Sequence, residues 1–122
     1  MVARTLDESV VYRKSLTACA AISAMLERTR VRSDFDLRSQ LAASSGAVPA
    51  NIAEGFGQQS DRRFARYLFI ARGSAHEVRA HLSVAHARKY LESADVSELG
   101  GKYDEIARML TGLIRYLLAS DR

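Results

Sequence analysis

Apolar side chains recur at steps of three and four through nearly the whole chain, and no segment alternates with the period of two that a half-buried strand needs. The clearest seam is Phe64, Leu68, Ala71, Ala75, Val78, Leu82 and Ala85, which keeps one helix face apolar over about three heptads. Val96, Leu99, Tyr103, Ile106, Leu110, Leu113 and Leu117 form another, widened by Ile114. Upstream, Val11, Ser15, Ala18, Ile22 and Met25 run beside Tyr12, Leu16, Cys19 and Leu26, and the two stripes together predict a broad buried face. Leu37, Leu41, Val48, Ile52 and Phe56 supply a fourth segment. The pattern predicts an all-α chain with helices over residues 8–30, 36–56, 61–90 and 94–119.

The punctuation between these segments is short. Asp34 or Asp36 is placed to cap the second helix, Ser60 the third and Ser93 the fourth, with Ser97 and the Gly100-Gly101 pair offering a later start for the last. Connections of this length turn each helix back along its predecessor, which predicts an antiparallel up-down-up-down four-helix bundle. Pro49 falls inside the second helix, where it removes a donor and crowds the carbonyl of Ser45. Either the helix breaks there, or it kinks with the Ser44 or Ser45 hydroxyl rebonding the freed carbonyl. The helical spacing of Leu41, Val48 and Ile52 across the proline favours the kink.

Length and composition narrow the picture further. The 122 residues amount to one domain, and 48% hydrophobic with 26% charged residues describes a globular chain rather than a disordered one. The lone Cys19 excludes an intramolecular disulfide and any CxxC-type zinc site, and it reads as an inert thiol in a reducing compartment. The first ten residues lack an apolar run of signal-peptide length, and no stretch is apolar enough to span a bilayer. A cytoplasmic protein with no membrane partner is the expectation.

Charge changes the picture more than composition does. The net charge is +4, yet residues 61–91 hold seven basic side chains against two acidic ones, which is +5 and leaves −1 for the rest of the chain. Arg62, Arg66, Arg72 and Arg79 are read along one side of the third helix, with His86 and with Phe69, His76 and Tyr90 interleaved and Lys89 at its end. Arginines among aromatic rings contact phosphates and stack on bases, the recognition mode of single-stranded nucleic acid. A solvated face, or salt bridges between subunits, is the competing use of the same residues. Tyr67, Phe69, Ile70, Leu91, Tyr116 and Leu118 exceed what the seams require, and this surplus predicts a homo-oligomer.

Nothing points to catalysis. His76, His81 and His86 are spaced by five, so consecutive ones point about 140° apart, and no Glu-x-x-His ligand pairs accompany them. Neither a Gly-rich phosphate loop nor a Ser-His-Asp order is present, and no metal or cofactor is expected. Asn51 and Glu54, three apart, read as a buried hydrogen-bonded pair after Pro49, with Arg66 or Arg72 as the cation for Glu54; a ligand site is the alternative. Gly55 and Gly73 read as positions of close helix packing.

The run Val48-Pro49-Ala50-Asn51-Ile52-Ala53-Glu54-Gly55-Phe56-Gly57, followed by Ser60, Phe64, Tyr67-Leu68 and Ile70-Ala71-Arg72-Gly73-Ser74, carries a resemblance. It closely resembles the four-helix bundle family that includes proteins encoded in intervening sequences of bacterial large-subunit ribosomal RNA genes. The accessory variability proteins of diversity-generating retroelements are similar at greater distance. The similarity spans roughly residues 10–119, and Arg108 to Ile114 resembles the family's last helix. The resemblance implies an antiparallel bundle, a homopentameric ring and a nucleic-acid-binding role without catalytic activity. The chain departs from the family pattern at Ala42 and Ala43, at Gln58, and at Arg88-Lys89-Tyr90, where relatives often carry basic residues or a Leu-Gly-Tyr turn. Together these readings predict a non-catalytic oligomer that binds RNA or single-stranded DNA. The alternative is a scaffold ring that docks a protein partner.

Overall fold

The computed structural model describes residues 3–120. Among them lie four α-helices and no strand: α1 Val10–Arg28, α2 Phe35–Phe56, α3 Asp61–Ala87 and α4 Ser93–Ser120. Short 3-10 turns at Leu6–Glu8 and Arg30–Ser33 precede α1 and α2.

Each start has a local cause. The Ser9 hydroxyl accepts the Tyr12 N–H at 3.3 Å, Asp34 Oδ1 accepts that of Leu37 at 3.3 Å, and the Ser60 hydroxyl accepts that of Arg63 at 3.2 Å. Ser93 is not the cap of α4 but its first residue. Glu92 precedes it, and Asp95 Oδ2 reaches back to accept the Glu92 N–H at 3.1 Å, the reciprocal half of a capping box.

The apolar seams meet in one core. Ile22, Met25, Leu41, Val48, Ile52, Leu68, Leu82, Ile106, Leu110 and Leu117 are fully buried, together with the small side chains Ala71, Ala75 and Ala85 of α3. The second stripe of α1 is shallower than its spacing suggested, because Leu16 is exposed while Tyr12 and Cys19 are half-buried. Leu91 and Tyr67, counted as surplus apolar surface, are respectively buried and half-buried; Leu91 closes the α3–α4 turn.

Side-chain contacts give the sense of neighbouring helices. Arg72 meets Thr111 and Arg79 meets Asp104, so contacts descend α4 as they climb α3; Lys14–Glu105 and Arg28–Asp95 do the same between α1 and α4. α3 packs along both α2 and α4 and is the best-contacted helix of the four.

Pro49 lies buried within an α2 that is continuous from Phe35 to Phe56, so the helix does not break. The serine hydroxyls go elsewhere than expected: Ser44 donates to the carbonyl of Gln40 at 2.8 Å and Ser45 to that of Ala42 at 3.2 Å. Neither rebonds the carbonyl of Ser45.

α3 stops at Ala87 rather than running to residue 90. Tyr90 N–H donates to the carbonyl of Ala85 and Lys89 N–H to that of His86, each at 2.9 Å, the paired bonds of a Schellman ending. Such an ending puts one residue in the left-handed region, and here Lys89 occupies it with φ 66°. A glycine takes this conformation without the Cβ penalty that lysine carries. Around that turn, Arg88 Nη1 donates to Asp34 Oδ2 at 2.7 Å and the Tyr90 hydroxyl donates to the same oxygen at 3.0 Å. The Leu37 N–H first, and then the Tyr90 hydroxyl, hold the Asp34 carboxyl below the usual carboxylate range. This clasp ties the α3–α4 turn to the α1–α2 connection.

Candidate nucleic-acid interface

The arginines read as one face separate into three groups. Arg62 and Arg66 stand exposed on the first two turns of α3, with Arg63 exposed beside them. Arg72 turns inward along α4, half-buried, where Nη1 donates to Thr111 Oγ1 at 3.0 Å and the guanidinium lies 4.9 Å from the centroid of the Phe69 ring. Arg79 faces Asp104 at 3.4 Å, and the same carboxylate takes Arg108 at 2.8 Å. Lys89 is in the turn at the far end.

The helix period explains the separation. Four residues leave Arg62 and Arg66 about 40° apart, whereas six leave Arg66 and Arg72 about 120° apart, enough to carry Arg72 round to the flank that packs on α4. Phe69 is thereby occupied by Arg72 and is not free to interleave with the exposed cations.

The first turn of α3 runs against a simple electrostatic rule. Exposed N–H groups make a helix N-terminus positive, which favours acidic side chains there, yet Arg62 and Arg63 follow Asp61 immediately. Their side chains add cations where the backbone already presents a positive dipole end, an arrangement suited to holding anions.

The other singled-out residues divide between fold and surface. Asn51 Nδ2 donates to the carbonyl of Ala47 at 2.9 Å, one turn back on its own helix, and Glu54 is exposed, so the two do not form the expected buried pair. Neither Arg66 nor Arg72 bridges Glu54; Arg72 is engaged with Thr111 instead. Gly55 is a close-packing position, since a Cβ there would sit 2.9 Å from Tyr67 Cβ and 3.1 Å from the carbonyl oxygen of Phe64. Gly73 is not: a Cβ added there meets nothing within 4 Å. Among the described residues no three His, Cys, Asp or Glu side chains gather as metal ligands, and the His81 ring nitrogen lies 3.4 Å from the Glu77 carboxylate. No described helix is long and apolar enough to cross a membrane.

Arg63, one of the seven basic residues of the segment 61–91, lies about 100° round the helix from Arg62 and so falls off the side on which Arg62 and Arg66 are read; its place in the first turn is the signal that finds it. An open cleft of about 500 Å³ lies at the end where α1 begins, lined by Val10, Val11, Phe56, Phe64, Met109 and Leu113 with Arg4 and Glu8 beside them.

The sequence profile of the 23S rRNA-intervening sequence protein family matches residues 7–112. The chain belongs to that family. A crystal structure of a protein of unknown function from the S23 ribosomal protein family of Bacteroides thetaiotaomicron is similar in fold, with a TM-score of 0.79 and 25% identity, covering 86% of this chain and 98% of that one. No curated protein matches the chain. In this member of the family, the segment from Pro49 to Gly57 that carried the resemblance lies where α2 ends and α3 follows. Pro49 and Gly55 are buried there, and Phe56 packs edge-on to Phe64 with centroids 5.9 Å apart.

Proposed function

We propose that this family member is a non-catalytic, self-associating four-helix bundle of the cytoplasm that binds RNA or single-stranded DNA through the first turns of α3. The observation that carries the reading is the trio Arg62, Arg63 and Arg66, exposed at a helix end whose dipole already attracts anions. Arg72 and Arg79 are engaged with α4, so in this reading they position the helix rather than contact phosphate. The family resemblance supports a ring of five chains, which would repeat the trio around its circumference, and the exposed Phe69, Ile70, Val84, Tyr116 and Leu118 supply apolar surface for self-contact.

The test is a low-salt gel shift with single-stranded RNA and DNA. Arg63→Glu with Arg66→Glu abolishes retention. Glutamate at position 63 also completes a capping box with Ser60, so the loss of binding comes with no loss of helix stability. Wild-type affinity falls as salt rises, since each phosphate contact releases condensed counterion. Retention by the double variant equal to wild type would overturn the site.

A scaffold that docks a protein partner is the second reading, favoured by the same exposed apolar side chains. It requires a wild-type protein that purifies free of material absorbing at 260 nm and shows no salt-sensitive retention.

A further inference from the structure

We infer that the end of the bundle formed by the α1–α2 connection and the α3–α4 turn is a second contact surface for single-stranded nucleic acid, with Phe35 stacking on a base and Arg32 and Lys89 contacting phosphates. This rests on the nucleic-acid reading above and adds to it a site at the opposite end of α3. Arg66 and Arg88 are 22 residues apart on and just beyond that helix, about 33 Å at 1.5 Å per residue.

Phe35 is 76% exposed, more than any other large hydrophobic side chain described. It is the first residue of α2, where the core begins only at Leu37, so no packing role accounts for an aromatic ring at that position. A few residues away, the Arg30 guanidinium lies 5.6 Å from the centroid of the Tyr90 ring and donates to the carbonyl of Lys89. An arginine–aromatic pair is thus already assembled at the same end of the bundle as the exposed ring.

The charges at this end are sorted by pairing. Asp34 is taken by Arg88 and Tyr90, Asp95 by Arg28 at 3.1 Å, and Glu27 by Arg38 at 3.5 Å. Among the described residues, those pairs leave Arg30, Arg32 and Lys89 as cations with no carboxylate partner, and Asp36 and Glu92 are the acids of the two connections outside those pairs. Arg32 and Lys89, exposed at the same end of the bundle as the Phe35 ring, match a strand whose phosphates and unstacked bases are both accessible. A duplex hides its base faces and gives Phe35 nothing to stack on, so the ligand class is single-stranded. Base–aromatic stacking tolerates any sequence, because every base has a π-face.

The test is fluorescence anisotropy of a labelled oligouridine titrated with the full chain at low salt. Phe35→Ala weakens binding about tenfold, and Phe35→Trp restores it because a larger ring still stacks. Arg32→Ala lowers affinity and makes the salt dependence shallower by about one phosphate contact. Both side chains lie outside the core, and unchanged far-ultraviolet circular dichroism and melting temperature confirm that the variants fold. If Phe35→Ala and Arg32→Ala bind like wild type while Arg63→Glu with Arg66→Glu does not, the second surface is wrong and the α3 site stands. If wild type binds no oligonucleotide, both fall, and a protein partner takes their place.

Discussion

Gly55→Ala should lower the melting temperature by roughly 5–10 °C, whereas Gly73→Ala should raise it slightly. Both residues lie in helix interiors, where exchanging glycine for alanine gains about 1 kcal/mol of helix propensity. At Gly73 that gain is unopposed within the chain, because the new methyl meets nothing within 4 Å. At Gly55 the methyl arrives 2.9 Å from Tyr67 Cβ, 3.0 Å from Phe64 Cδ1 and 3.1 Å from the Phe64 carbonyl oxygen. Two of those three atoms belong to, or stand directly on, the α3 backbone and cannot swing aside as a flexible side-chain end would. α2 and α3 must then separate near their connecting turn, where overpacking of a core typically costs about 1–3 kcal/mol. Thermal denaturation of the two variants measures the contrast. A Gly55→Ala protein as stable as wild type would mean that the hairpin absorbs the methyl by shifting as a unit.

Tyr103→Phe should stabilise the protein by about 1–2 kcal/mol, against the usual direction for a core substitution. Tyr103 is completely buried, and its hydroxyl has no hydrogen-bond partner among the described residues. Leaving such a group dry forfeits its bonds to water with nothing in return. Removing the oxygen keeps the ring and the packing. Burial, and secondarily the nearby Cys19, pushes the hydroxyl well above its ordinary value of 10.0, so the folded protein keeps a proton that the unfolded chain gives up. The sign follows. A group whose folded value is raised contributes fully below pH 10 and loses that contribution as the pH climbs past it. Wild type should therefore weaken above pH 10 more steeply than Tyr103→Phe in urea denaturation. A destabilised phenylalanine variant would show that an ordered water serves the hydroxyl in solution.

The seams of α3 and α4 were legible because an apolar period of three and four is itself the signature of a face that must be buried. Ser60 was legible as a cap for a similarly local reason, since a short acceptor side chain before an apolar run has one obvious use, while Asp34 was legible only as one of two candidates with Asp36. What the sequence concealed was tertiary. Gly55 and Gly73 are the same residue in the same kind of helix, and only the helix packed against one of them gives it a role. Arg72 reads like Arg66 until Thr111 arrives from α4 and claims it. The end of α3 was placed three residues late because the left-handed turn that stops it is occupied by a lysine, and its glycine marker is absent. Asn51 and Glu54 looked like partners at a spacing of three, yet the amide found a closer acceptor in its own helix. The cations of the α1–α2 connection are not legible as a group for another reason: they join Lys89 only when two distant connections meet.

Five glycines in helices, Gly46, Gly73, Gly100, Gly101 and Gly112, have open space where a side chain would be. At about 0.5–1 kcal/mol each, they withhold roughly 3–5 kcal/mol from a lone chain, a sizeable share of the stability of a small domain. In a self-associating protein the same positions let neighbouring backbones approach, and the stability withheld from the monomer returns by mass action. The melting temperature should then climb with protein concentration, and a flat dependence over a hundredfold dilution series would mean that the glycines are a cost the chain bears alone.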